Sequence, residues 1–114
     1  MNQEFLFEML DTMSVSGHES GRQKKVIREM TPYAHEIRTD FTGNVVCVLN
    51  PEADFKVLLA GHIDEIGLVV PHNQSAGLLK VAKAGGIRAM AYPGHQVLIG
   101  QKKIPGVVIL SDNM

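Results

Sequence analysis

An unbroken apolar run at residues 57–60, between Lys56 and Gly61, is the feature that most restricts how this chain can fold. A strand with one face in water alternates apolar and polar residues, whereas a strand made only of Val, Leu and Ala needs cover on both faces. Strands buried on both faces lie in the middle of α/β sheets. The run therefore predicts an α/β fold with a buried strand at residues 56–61.

Two short amphipathic helices are predicted before this strand. Apolar side chains recur at spacings of three and four residues in the first helix, namely Phe5, Leu6, Met9, Leu10 and Met13. Ser16 and Glu19 fit a capping box, in which a hydroxyl and a carboxylate bind the free backbone amides at a helix start. We expect this second helix to end near Pro32. Its expected inner face holds Val26, Ile27 and Met30, and its expected outer face holds Arg22, Lys24, Lys25 and Glu29.

Short strands are predicted after the helices. Two of them, at residues 36–40 and 44–49, flank a turn at 41–43 and predict a hairpin. Beyond Gly67, short apolar segments alternate with Gly, Pro and Asn, which is typical of a small barrel or sandwich. This change of pattern predicts a domain junction near residues 67–72. The strands expected in the second part are 68–70, 78–81, 97–100 and 104–110.

The predicted strands leave open sheet edges. Four strands are too few to close a barrel comfortably, and an open edge pairs with strands of other chains. We therefore expect the chain to self-associate. Pro105 has no amide proton to donate to a central ladder, so Pro105 and Gly106 are predicted at a sheet edge or a bulge.

The composition argues against nucleic-acid and membrane partners. Eleven basic and twelve acidic side chains leave a net charge of −1, with no basic surplus. Trp is absent and aromatic residues make up 5%, too few for stacking on single strands. Apolar runs are too short to span a bilayer, and the first residues lack the basic start of a signal peptide. Cys47, within an apolar run, is expected to be a buried, inert thiol in a reducing cytoplasm.

The most informative motif for chemistry follows the predicted buried strand. His62 and Asp64 are two residues apart on extended chain, so their side chains are expected on the same side. Asp64 could then accept a hydrogen bond from one ring nitrogen of His62 while the other nitrogen faces a metal. Glu65 is out of phase and is expected to face away. A surface or capping role remains the alternative for so short a motif. His18 is expected to be solvated in the first turn of the second helix. Three further histidines have no second ligand at metal spacing: His35, His72 and His95.

Four motifs in order carry a family resemblance. They lie at residues 14–19, 40–44, 59–67 and 103–107, and the sequence His-Ile-Asp-Glu-Ile-Gly within the third is the most specific. Together they resemble the start of the glutamyl-aminopeptidase family, the dinuclear metallo-aminopeptidases that include the tetrahedral (TET) enzymes. The resemblance implies that residues 1–70 are the opening helices and strands of a metallo-exopeptidase α/β domain. It implies that residues 71–114 are part of an inserted, small β-barrel-like domain.

The resemblance also implies a reaction and site residues. His62 would bind one of two divalent metal ions, zinc or cobalt, and Asp64 would be the catalytic-site aspartate that orients it. The complete enzyme would remove N-terminal residues from peptides. In the family, the other metal ligands and the general base come from segments after the inserted domain, and none of these lies within the 114 residues. The chain alone is therefore expected to be inactive unless a complementing chain supplies the missing segments. A homo-oligomer or such a complementing chain is the expected partner.

Two alternative functions remain open at this point. One is a non-catalytic, truncated module for interaction or assembly that pairs with other chains through its β-rich half. The other is a free-standing small binding domain of unrelated function, which would require the four ordered motifs to be a coincidence. Metal-dependent peptide hydrolysis that depends on His62 would discriminate the enzyme from both.

Overall fold

The computed structural model describes residues 2–73 and 77–110, which form a mixed α/β arrangement. The helices are α1 (Gln3–Leu10), α2 (Ser20–Met30) and a single 3-10 turn at Ala89–Ala91. The strands are β1 (Glu36–Thr39), β2 (Val45–Val48), β3 (Gly67–Asn73), β4 (Leu79–Ala84), β5 (Gln96–Ile99) and β6 (Ile104–Val107). No helix in these two ranges is long and apolar enough to cross a membrane.

Both predicted helices are present, but the second begins later than its predicted cap. Asn2 caps α1, its side-chain oxygen accepting from the Phe5 amide at 3.2 Å. The capping-box prediction is wrong, because Glu19 occupies the N-cap position of α2 and its side chain makes no hydrogen bond to the helix. The Ser16 hydroxyl instead donates to Asp64, 48 residues away. Ser16 thus binds a carboxylate that is distant in sequence and not a backbone amide at the start of α2.

Arg22 is the second correction in this region. The sequence pattern placed it on the outer face of α2, yet it is 8% exposed. Val26, Ile27 and Met30, expected to be buried, are half-buried. The guanidinium of Arg22 is covered because it binds backbone oxygens and a carboxylate from two other segments. Those partners explain how a charged group can be buried here.

The six strands form three separate antiparallel pairs: β1–β2, β3–β4 and β5–β6. The predicted hairpin is confirmed, with Glu36 opposite Val48 and Thr39 opposite Val45. Pro105 lies at a sheet edge, as predicted, because β6 pairs with β5 alone. The irregularity in register occurs in β3, between Val69 and His72. Cys47, predicted to be buried, is half-buried in β2.

The predicted buried strand at residues 56–61 is wrong for the described chain. This segment forms no strand, and Val57, Leu58 and Leu59 are 70%, 85% and 90% exposed. Its apolar pattern indicates two faces that need cover, but no described strand pairs with it. A strand is stabilised by neighbours in a sheet, so the apolar sequence alone does not produce one.

Apolar burial is sparse throughout the described residues. Ile87, at 5% exposure, is the one apolar side chain among them that is classed as buried. The radius of gyration is 18.3 Å, whereas a compact domain of this length has a radius of about 13 Å. The long axis extends 61 Å. Polar contacts between distant segments lie where α2 and the loop before it meet the chain around residue 64.

Candidate metal-ligand site

Two backbone segments meet to form the base of the site. Val15, in the loop between α1 and α2, forms a parallel bridge with Glu65. The Glu65 amide donates to the Ser14 carbonyl at 2.8 Å, and the Ser14 amide donates to the Glu65 carboxylate at 2.9 Å. These two bonds hold the loop against the extended segment that carries His62 and Asp64.

Arg22 of α2 ties the same two segments together. Its guanidinium donates to the Ile63 carbonyl at 2.7 Å and to the Thr12 carbonyl at 2.6 Å. It also donates to the second carboxylate oxygen of Glu65 at 3.1 Å. The planar fork of an arginine can serve several acceptors at fixed angles, which a lysine cannot. Glu65 thus faces Arg22 and Ser14 instead of His62, as the strand alternation predicted.

The hydrogen bond predicted between His62 and Asp64 is present. His62 Nδ1 lies 2.8 Å from Asp64 Oδ1 and 3.1 Å from the Asp64 carbonyl oxygen. When Nδ1 carries the proton, it donates to these oxygens and leaves a lone pair on Nε2. The His62 side chain is 85% exposed, so the ring is accessible. Its role as a metal ligand stays a prediction.

Asp64 is held as a carboxylate by hydrogen bonds to both of its oxygens. The Ser16 hydroxyl donates to Oδ2 at 2.5 Å, and this bond, followed by the one from His62, lowers the pKa of the Asp64 carboxyl from its ordinary value. Hydrogen bonds to the charged form of a carboxyl favour that form. Asp64 therefore remains an acceptor for the imidazole.

A cavity of about 260 Å³ lies beside this pair. One wall is α2 together with its N-cap, another is the β1–β2 turn, and the third is the segment 61–64. The Gln23 side-chain amide donates to the Gly43 carbonyl and connects the first two walls. The lining residues of these walls are Glu19, Gln23, Val26, Thr42, Gly43, Asn44, Val45, Gly61, His62, Ile63 and Asp64.

Asp40 shapes the turn that forms the second wall. Its carboxylate accepts from the backbone amides of Thr42 and Asn44, both at 2.9 Å, and from the side chains of the same two residues at 2.8 Å. The side-chain bond from Asn44 and then that from Thr42 lower the pKa of Asp40 to about 2. The turn is thus closed by one ionised side chain.

The donor set fits one metal ligand and no complete metal site. Within residues 2–73 and 77–110, no three His, Cys, Asp or Glu side chains come together in a group that could hold a metal ion. His35 accepts from the Asn50 amide at 3.1 Å, and His95 contacts the ring of Tyr92. The side chain of His72 lies outside the described part. His62 is thus the candidate ligand, because a carboxylate already orients its ring.

Sequence reasoning missed two residues of the site. Ser16 was assigned to a helix cap, and Arg22 to the solvent-facing side of α2. The Ser-x-x-Glu spacing is typical of a helix cap and does not predict the bond from Ser16 to Asp64. Nothing local distinguishes Arg22 from the other basic residues of α2, because its partners lie in other segments.

Comparisons with known proteins find one matching family model, and aminopeptidases are among the similar proteins. Residues 43–113 match the family model described as M42 glutamyl aminopeptidase. The FrvX protein of Escherichia coli (strain K12) is 32% identical over 111 residues, which cover 95% of this chain and 31% of that protein. The lysyl aminopeptidase of Pyrococcus furiosus is 34% identical over 85 residues, which cover 74% of this chain and 24% of that enzyme.

A solved structure is similar as well. The crystal structure of a TET aminopeptidase from the marine sediment archaeon Thaumarchaeota archaeon SCGC AB-539-E09 superposes with a TM-score of 0.77 at 27% identity. The match covers 83% of this chain and 27% of that one. This chain thus spans between about a quarter and a third of the length of these proteins. The fold and the matched motifs lead to one assignment, and the chain belongs to the M42 glutamyl aminopeptidase family.

Proposed function

We propose that this chain is the opening part of a metal-dependent aminopeptidase and that His62 contributes one ligand to its metal centre. The observation that carries the proposal is the 2.8 Å contact between His62 Nδ1 and Asp64 Oδ1, which leaves Nε2 exposed. A carboxylate behind a metal-bound histidine fixes its tautomer and raises its basicity. Membership of the family supports the reaction class, the removal of N-terminal residues from peptides.

Each residue has a separate task in this proposal. Two divalent ions, zinc or cobalt, would polarise the scissile carbonyl and make water a stronger nucleophile when bound. His62 would bind through Nε2, and Asp64 would accept a hydrogen bond from Nδ1–H and so keep the ring in one tautomer. Arg22 and Glu65 hold the backbone on either side of Asp64. A peptide would approach from the cavity beside His62, whose walls are α2 and the β1–β2 turn.

We further propose that the 114 residues alone do not turn over peptides. A catalytic zinc takes about three protein ligands and keeps one open position. Among the described residues, His62 has no companion ligands in reach. The remaining ligands and the general base would come from segments of the family fold outside these residues, either on a longer chain or on a complementing one.

The β-rich half has a proposed place in the complete enzyme. The end of β3 and strands β4 to β6 would belong to the small, inserted barrel-like domain, at residues 71–114, that follows the α/β part. Neither pair has a third strand among the described residues, which supports further pairing at their outer edges. A homo-oligomer is part of the proposal, and a TET aminopeptidase is among the similar structures.

A non-catalytic assembly module is the second candidate function. The exposed apolar side chains of Val57, Leu58 and Leu59 favour it, since such a run needs cover by other strands. The incomplete metal site is consistent with it too. The two functions differ in what happens when the remaining family segments are added.

Hydrolysis of aminoacyl-p-nitroanilides with added zinc or cobalt tests the proposal. The chain alone should give no metal-dependent turnover. A second chain with the later segments of a family member should restore activity, and His62→Ala should abolish it. His95→Ala is the matched control, because His95 contacts only the ring of Tyr92 among the described ring contacts. Full activity with His62→Ala would contradict the ligand role. Binding of the second chain to this chain without any turnover would favour the assembly module.

A further inference from the structure

We propose that Ser16 is a positioning residue, which fixes the Asp64 carboxylate and through it the Nδ1–H tautomer of His62. This inference rests on the proposed function of His62, because the tautomer matters when Nε2 must bind a metal. It goes beyond that function by assigning a role to a residue on a separate segment, 48 positions away from Asp64.

The contacts of Asp64 show why a second partner is needed. One carboxylate oxygen, Oδ1, faces His62 Nδ1 at 2.8 Å, and the other, Oδ2, accepts from the Ser16 hydroxyl at 2.5 Å. The imidazole itself is 85% exposed, so little of the ring is covered by neighbouring side chains. An aspartate bound only to this ring could rotate with it. The bond from Ser16 attaches the pair to the rest of the structure.

The backbone places the Ser16 hydroxyl with little freedom. Ser14 and Glu65 exchange hydrogen bonds at 2.8 and 2.9 Å, and Val15 forms the parallel bridge to Glu65. Gly67 permits this approach, because a Cβ there would lie 2.4 Å from a methyl group of Val15. Ser16 comes directly after Val15, so its side chain projects from a loop whose backbone is already bound to Glu65.

The turn after Ser16 restricts the loop from the other side. Gly17 has φ +87°, a conformation that side chains other than glycine rarely adopt. Its amide donates to the Glu19 carboxylate at 2.6 Å. A helix-capping role does not explain Ser16, since α2 begins at Ser20 and the hydroxyl donates to Asp64. The position of Ser16 therefore supports a role in binding Asp64.

The test measures the neutral tautomer of His62 directly, without metal. Long-range ¹H–¹⁵N spectra of the 114-residue chain with ¹⁵N-labelled histidine are recorded at a fixed pH, about two units above the ordinary histidine pKa of about 6.5. His62→Gln assigns the signal among the five histidines. The critical comparison is Ser16→Thr against Ser16→Val, because these side chains have nearly the same shape and differ in the hydroxyl. Ser20→Ala is the control for loss of a neighbouring hydroxyl at the start of α2.

The inference predicts Nδ1–H as the main tautomer in the wild-type chain and in Ser16→Thr and Ser20→Ala. Ser16→Val and Ser16→Ala should shift the equilibrium toward Nε2–H by roughly threefold or more, below the 10- to 100-fold effects of losing a direct partner of a ligand. Equal tautomer populations in the Thr and Val variants would overturn it. If Ser16→Ala disturbs the fold, the Thr–Val pair still decides the question.

Addition of Co²⁺ to the labelled chain after it has been complemented with the later family segments separates this inference from the proposed function. Preferential broadening of the His62 signal over that of His95 supports His62 as a metal ligand. Equal broadening of both signals contradicts the proposed function, whereas the inference about Ser16 is decided by the tautomer comparison alone. Failure of one is thus distinguishable from failure of the other.

Discussion

Arg22 is expected to be the side chain on which the arrangement around residues 62–65 most depends. Arg22→Met keeps an unbranched stem but removes the donors to Ile63, Thr12 and Glu65. A hydrogen bond with a charged partner contributes about 1.5–3 kcal/mol, so the two carbonyl contacts together account for about 3 kcal/mol. The ion pair adds about 0–1 kcal/mol, because Glu65 is 41% exposed. We expect the free energy of unfolding to fall by about 3 kcal/mol.

Urea unfolding followed by circular dichroism measures this loss. Protein concentration must be the same for all variants, since association changes apparent stability. Lys24→Met is the matched control, because Lys24 is exposed on the same helix and should change stability by less than about 0.5 kcal/mol. Arg22→Lys should fall between the wild type and Arg22→Met, since an ammonium cannot reproduce the planar fork. A loss below about 1 kcal/mol in Arg22→Met would refute the reasoning.

Three further predictions concern other parts of the structure. Gly67→Ala should destabilise the chain because the new Cβ would lie 2.4 Å from a Val15 methyl group, whereas Gly86→Ala has open space; equal urea midpoints would contradict this. Glu8, whose pKa is lowered to about 2 mainly by a hydrogen bond from Arg28, should stabilise the α1–α2 pair above its ordinary pKa of 4.5. That stability should be lost as pH falls from 4.5 toward 2, and Glu8→Gln should flatten this part of a pH–stability curve. Asp64→Ala should weaken metal binding in the complemented enzyme by about 10- to 100-fold, measured by competition with a chromophoric chelator; unchanged affinity would argue against its orienting role.

Local patterns predicted the elements whose partners are close in sequence. The two helices and the β1–β2 hairpin form from nearby residues, and all three are present. The predicted strand at 56–61 depends on neighbours in a sheet, and no described strand pairs with it. This segment therefore has the apolar sequence of a buried strand, although its side chains are exposed at Val57, Leu58 and Leu59. Period-two and apolar patterns indicate which faces need cover, and they do not identify what covers them.

The candidate site shows the same division. Alternation along extended chain was enough to predict the contact between His62 and Asp64, since both residues lie on one short segment. Ser16 and Arg22 reach that segment from the α1–α2 loop and from α2. The hydroxyl of Ser16 could bind either a helix amide or a distant carboxylate, and the spacing to Glu19 favoured the helix. A positive charge normally predicts exposure, so the burial of Arg22 could be found only from the fold.

The role of His62 as a metal ligand is the central claim, and the most direct measurement is an anomalous difference map at the zinc edge. The crystal would contain this chain complemented with the remaining family segments and loaded with zinc. The account predicts a zinc ion at about 2.0–2.1 Å from His62 Nε2, while Nδ1–H still donates a hydrogen bond to the Asp64 carboxylate. A fully occupied metal centre with His62 outside its ligands would contradict the account.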